Sequence, residues 1–228
     1  MVELAEIDCQ ATSSLICDFM ICKCCGTVDR EHSRMVKNSI CPACHRPAGV
    51  ARLYYPINIH ILVDLVQQSY HSEAQISPIY GPQASNVGTI LFFSSLREAL
   101  LNHFLVALLL AQQVPSPLIE KLLEDNKLAS QKFAGLFSAV VGKSWKEAVI
   151  EASAFGGMDF NPISDLMLAV ASIRNEFMHE GRGWAATREV STNCVNGMPV
   201  LTKLFVILHN IYVHPLLDKS DLIAKLTN

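Results

Sequence analysis

The chain has 228 residues, half of them apolar, and a formal net charge of −3, which is enough length to bury a core without cross-links. Its longest unbroken apolar run, Phe104 to Ala111, is eight residues, well short of the ~20 that cross a bilayer, so no membrane span is expected. The averaged charge hides a local excess: residues 1–21 carry four acids and no Lys or Arg, residues 22–55 six bases against two acids, and residues 56–228 twelve against fifteen.

The N-terminal stretch Met1 to Asp8 is acidic and lacks a basic segment followed by an apolar one, so no secretory leader is expected. Seven of the eight cysteines precede residue 45. In a reducing cytosol, the compartment this composition suggests, such clustering points to a metal site ahead of a disulfide framework.

Cys22-Lys23-Cys24-Cys25-Gly26 and Cys41-Pro42-Ala43-Cys44-His45 are two C-x-x-C knuckles separated by fifteen residues. Each knuckle turns two sulfurs toward one point, and Gly26 supplies the positive φ that often follows such a turn. Cys22, Cys25, Cys41 and Cys44 are therefore the expected ligands of one structural Zn²⁺ per chain. Cys24 competes with its neighbours in the first knuckle, and Cys9, Cys17, His32 and His45 remain as substitutes. Four thiolates on one Zn²⁺ carry a combined −2, which takes the local +4 to about +2 and leaves Arg30, Arg34, Lys37, Arg46 and Arg52 as a modest nucleic-acid footprint. Leu15-Ile16-Cys17, Phe19-Met20-Ile21 and Val50 to Tyr55 are in the β-branched and aromatic idiom of short strands. The stretch of about 15–55 resembles a zinc ribbon. Tyr54 and Tyr55 either offer a stacking surface to single-stranded RNA or pack against the rest of the protein.

From Pro56 onward the pattern is helical. Pro56 to Tyr70 has apolar residues at helical spacing, and Ile76 to Asn86, with two prolines and a glycine, predicts a loop. Helices are expected at Val87 to Gln113, Leu118 to Asp125 and Ser130 to Val140. Ser144-Trp145-Lys146-Glu147 is a capping box that opens another. Asn161-Pro162 starts a helix running through Phe177 to Gly181 and Gly183, and Val200 to Val213 forms the last. The expected fold is an all-α helical bundle with a small N-terminal zinc-ribbon β module. It divides into a ribbon with N-terminal arm over 1–55, a connecting helix and linker over 56–85, and a helical domain over 86–228.

Near the end of the Asn161 helix stands Arg174-Asn175-Glu176-Phe177-Met178-His179. A guanidinium binds phosphate bidentately, and histidine moves protons near neutral pH. This R-x4-6-H pattern, with Asn directly after Arg, resembles the HEPN (higher eukaryotes and prokaryotes nucleotide-binding) superfamily over roughly residues 86–228. The resemblance implies a metal-independent endoribonuclease of the toxin or antiviral-defence kind, a homodimer with a composite active site, and a regulatory or antitoxin partner. Arg174, Asn175 and His179 would be its catalytic residues. Where some family toxins continue H-x-Y, this chain has Glu180-Gly181. Five positions along a helix rotate by about 140°, so Arg174 and His179 diverge unless the helix end unwinds or a second subunit supplies one of them. Glu98 is a candidate to orient Arg174, and Lys127, Lys132, Lys143 and Lys146 could extend an RNA track. The alternative function is a non-catalytic adaptor that binds RNA or protein.

Overall fold

The computed structural model describes residues 16–29, 41, 43–46, 52–72, 81–128 and 131–217. Three two-residue strands, β1 Met20–Ile21, β2 Val28–Asp29 and β3 Arg52–Leu53, form an antiparallel sheet in the order β2-β1-β3. Met20 faces Asp29 on one side and Leu53 on the other. Seven α-helices follow among the described residues: α1 Ile57–His71, α2 Gly81–Ala111, α3 Ser116–Asp125, α4 Phe137–Val141, α5 Trp145–Gly156, α6 Asn161–Glu180 and α7 Arg188–Leu208. π-helical turns at Lys132–Leu136 and His209–Val213 lead into α4 and out of α7. The protein is thus mostly helical, with a small sheet near its N-terminus.

Three expectations need correction. Ile16 and Cys17 are helical, not extended. Residues 81–86 belong to α2, because a proline in a helix's first turn removes only an N–H that has no partner there, and its φ is already helical; the rest of the expected loop, 76–80, lies outside the described residues. The last helix begins at Arg188, twelve residues before Val200, despite Gly197 and Pro199.

The described residues fall into two compact units. One takes them from Met1–Cys17, Pro56–Ala99 and Phe160–Thr202. Its core is built from Ile59, Val63 and Val66 of α1, Ile90, Phe93 and Leu96 of α2, Ile163, Met167 and Val170 of α6, and Met198 and Leu201 of α7. Gly197 permits close packing of α6 on α7, since a Cβ there would stand 2.7 Å from Ile163 Cδ1. Tyr70 OH bonds Thr192 at 3.0 Å, and Arg188 lies 3.7 Å over the Tyr70 ring.

The other unit takes Asp18–Tyr55, Leu100–Asp159 and Lys203–Asn228. Its aromatic centre joins Phe104 to Phe137 at 5.9 Å, Phe137 to Trp145 at 5.2 Å and Trp145 to Phe205 at 6.0 Å between ring centroids. The Ser144 capping box forms as its sequence predicts, with Glu147 N donating to Ser144 Oγ at 3.3 Å and Ser144 N to Glu147 Oε2 at 2.8 Å.

Two helical segments, Pro82–Ala111 and Arg188–Leu216, have the length and composition to cross a membrane, and 61% and 67% of their most apolar windows are buried within the fold. Core burial therefore accounts for that composition.

Candidate functional site

The four thiols of Cys22, Cys25, Cys41 and Cys44 converge, all within 4.8 Å of one another. No disulfide joins cysteines among the described residues. The two knuckles repeat one backbone geometry: Cys22 N donates to Thr27 O at 2.9 Å and Gly26 N to Cys22 O at 2.8 Å, and likewise Cys41 N to Arg46 O at 2.9 Å and His45 N to Cys41 O at 2.8 Å. Gly26 at φ 75 and His45 at φ 53 fill the same left-handed position, so His45 serves as a turn residue. Cys24 and Cys17 are not part of the cluster, while Cys9 and His32 lie outside the described residues.

A tetrahedron of sulfurs about 2.3 Å from a central ion has edges of about 3.8 Å. Cys25 Sγ and Cys41 Sγ stand 3.9 Å apart, so the cluster is already close to metal-binding size. Burial pushes the Cys22 and Cys41 thiols up. At Cys25 burial acts the same way but is outweighed by hydrogen bonds, first from the Thr27 hydroxyl and backbone and then from Cys22 and Cys44, so this thiol falls below its ordinary value. A divalent ion would supply the positive charge that lets the whole set ionise.

Behind the first knuckle, Tyr54 and Tyr55 are buried, at 7% and 2% exposure, which removes them as an RNA-stacking surface. Tyr54 packs edge-on against His103 and His209, with centroids at 4.8 and 4.9 Å. Both histidines are held neutral: burial pushes His103 down to about 4 and His209 down to about 3. The buried Nε2 of His103 makes no hydrogen bond among the described residues. Of the basic footprint, Arg46 is exposed, and Arg30, Arg34 and Lys37 lie outside the described residues. Of the lysine track, Lys132 is buried, Lys143 and Lys127 lie beside Glu151 and Glu124 at 2.6 and 3.5 Å, and Lys146 is exposed.

The second candidate lies at the end of α6. Ile163, Met167, Val170, Arg174 and Phe177 follow one another at steps of four and three, making a single stripe that is buried at its start and half-buried at Arg174 and Phe177. Arg174 Nη1 donates to Asn175 Oδ1 at 3.1 Å. Asn175 and His179 are exposed. The helix stays regular through Glu180, and Gly181, at φ 66, ends it by donating its N–H to Phe177 O at 3.0 Å. With no unwinding, Arg174 and His179 stay about 140° apart around the axis, and a single chain does not bring them together.

Glu98, a candidate to orient Arg174, has its carboxylate 3.5 Å from Arg97 Nη2. Arg97, 3% exposed, donates to Met167 O at 2.7 Å, two turns before Arg174. Burial lowers the Arg97 guanidinium's proton affinity, Glu98 opposes this, and the nearby Arg174 charge adds to the lowering. In the sequence Arg97 carries no signal beyond being a charged residue within a largely apolar helix. Phe177 also lines an open apolar hollow of about 470 Å³ with Gln83, Ala84, Val87, Gly88 and Leu91.

No known family's model matches this sequence, and neither a curated protein nor a solved structure matches it.

Proposed function

We propose that the chain is a HEPN-like, metal-independent endoribonuclease of the reducing cytosol, acting as a homodimer whose active site is completed by a second copy and restrained by a regulatory or antitoxin protein. The observation that carries this reading is the pairing of Arg174 with Asn175 on the half-buried stripe of α6, with His179 exposed one turn beyond Asn175. RNA brings its own nucleophile. A base removes the 2′-OH proton, the 2′-oxygen attacks phosphorus, and the 5′-oxygen leaves with a proton, giving a 2′,3′-cyclic phosphate and a 5′-hydroxyl. His179 moves the proton, Arg174 stabilises the charge of the pentacoordinate phosphorus, and Asn175 fixes the guanidinium. The hollow beside Phe177 falls within the size range of ligand pockets and offers an aromatic face to a neighbouring base.

The ion at the thiol cluster is, on this reading, one structural Zn²⁺ per chain held by Cys22, Cys25, Cys41 and Cys44. The all-sulfur set, with its thiols within 4.8 Å of one another, suits that ion. When bound it supplies a closed cross-link between the two knuckles.

The test is cleavage of single-stranded RNA by the purified chain with divalent cations withheld. Arg174→Ala and His179→Ala should each abolish cleavage. The losses expected are about 10²–10⁴-fold for the proton shuttle and a few kcal/mol for the charge stabilisation. A wild-type chain that cuts no RNA, or a His179→Ala variant that cuts as well as wild type, overturns the nuclease. In that case the second reading stands, an adaptor that binds RNA or protein without cutting it, and the divergence of Arg174 and His179 within one chain favours it.

A further inference from the structure

Residues 26, 27 and 28, which leave the first knuckle, are each gripped by a side chain from residues 209–214. His209 Nε2 lies 3.0 Å from Gly26 O. Thr27 Oγ1 lies 3.1 Å from His214 Nε2 and 3.3 Å from Cys25 Sγ. Asn210 takes both backbone groups of Val28, accepting from its N–H at 3.0 Å and donating to its carbonyl at 2.8 Å. Val28 lies in β2, an edge strand of the sheet, so the Asn210 carboxamide stands in for the strand that would otherwise pair there. The π-helical turn His209–Val213 places His209, Asn210 and His214 so that all three reach this short segment.

We propose that His214 and Thr27 form an outer shell of the metal site, with His214 positioning the Thr27 hydroxyl as a hydrogen-bond donor to the Cys25 sulfur, and with His209 and Asn210 fixing the backbone on which Thr27 sits. The inference rests on the reading of the thiol cluster as a metal site. Counting protons fixes the direction of the chain. A metal-bound thiolate can only accept, and a hydroxyl has one proton to give. Thr27 must therefore donate to Cys25 and accept from His214, which requires the proton of His214 on Nε2. As a free thiol, Cys25 could instead donate to Thr27, so metal binding reverses this hydrogen bond. A donor aimed at the sulfur draws off part of the negative charge that four thiolates leave on the site, and loss of such a partner typically weakens metal binding.

The experiment titrates Zn²⁺ into the full reduced chain against a chromophoric chelator, and Co²⁺ to read the sulfur-to-metal charge-transfer band. Thr27→Val keeps the shape and removes the hydroxyl, Thr27→Ser restores it, and His214→Ala removes the group behind it. Thr27→Val and His214→Ala should lose roughly 10–100-fold in zinc affinity. Their Co²⁺ band should move to lower energy, and Thr27→Ser should match wild type on both measures. Far-ultraviolet circular dichroism separates this from misfolding, and a purely structural role would leave the band energy of the bound fraction unchanged. If Thr27→Val binds as tightly as wild type with the same band, the outer shell is overturned while the metal site stands. If the wild-type chain takes up neither ion, the metal site itself is overturned.

Discussion

The thiol cluster and the Arg174–His179 pair are both short sequence motifs, yet the fold treats them in opposite ways. In a C-x-x-C knuckle the two-residue gap is closed by a tight turn, and that turn aims both sulfurs at one point. A second copy of the turn then supplies the other pair. In α6 the gap of five is laid along a regular helix, which turns the two side chains away from each other. A spacing motif thus specifies a site only together with the backbone that carries it: the cluster closes within one chain, whereas the proposed site at the helix end calls for a second copy.

The largest expected effect is on the cluster. Structural zinc in small modules contributes on the order of 10–16 kcal/mol at neutral pH, far more than a three-stranded sheet of two-residue strands can supply. Cys41→Ser, or removal of the ion, should unfold the sheet and both knuckles while leaving helical circular dichroism largely intact. Amide exchange should rise in residues 209–213, because His209 would lose Gly26 and Asn210 would lose Val28. Metal analysis should find one ion per wild-type chain. A metal-free chain that keeps its knuckles ordered breaks the comparison from the cluster's side.

The helix end is tested by mixing. If a second copy completes the site, combining inactive Arg174→Ala chains with inactive His179→Ala chains should restore cleavage, because the mixed dimer has one intact Arg174 and one intact His179 that can face each other. A site contained within one chain gains nothing from mixing. Recovered activity across a range of mixing ratios is the measurement, and no recovery alongside demonstrated subunit exchange refutes the composite site.

What could be read from the sequence follows the same division between local and distant causes. The capping box at Ser144, the prolines that open α3 and α6 and the Gly181 stop are decided within a few residues, and all of them form. The first turn of α2 was hidden because Gly81-Pro82 also suits a turn. The first half of α7 was hidden because its Thr, Asn, Gly and Pro residues have low intrinsic helix propensity; tertiary packing overrides it, with Gly197 set against Ile163. The hydrogen bonds of His209, Asn210 and His214 to residues 26–28 span more than 180 positions, and no local pattern encodes them.

The aromatic support behind the first knuckle gives a smaller effect with a defined sign. His103 is held down to about 4 in the folded chain, whereas the unfolded chain titrates near the ordinary 6.5. Between those values the unfolded state binds the extra proton, so this contribution to stability is complete above about pH 6.5 and is lost as pH falls toward 4. Each such histidine adds a slope of up to about 1.4 kcal/mol per pH unit within its window. His103→Phe removes one of them together with a buried nitrogen that has no hydrogen bond among the described residues. It should flatten the dependence between pH 6.5 and 4, leaving the steepness due to His209, which is held down to about 3. Denaturant midpoints across that range measure the slope, and an unchanged slope would mean that His103 is not held neutral.

The smallest effect tests whether the two knuckles are one device. Gly26 and His45 occupy equivalent positions with positive φ, and only glycine does so without steric cost. A histidine in the left-handed region gives up about 1–2 kcal/mol through its Cβ, partly offset because glycine makes the unfolded chain more flexible. His45→Gly should therefore stabilise the metal-loaded chain by a few tenths to about 1 kcal/mol, and Gly26→Ala should destabilise it by a similar amount. The histidine is exposed and stands outside the thiol cluster, so metal stoichiometry and the Co²⁺ spectrum should be unchanged in His45→Gly. Chemical denaturation of the loaded protein gives the sign. A loss of metal in His45→Gly would mean that the imidazole serves the ion, and the likeness between the knuckles would then stop at their backbones.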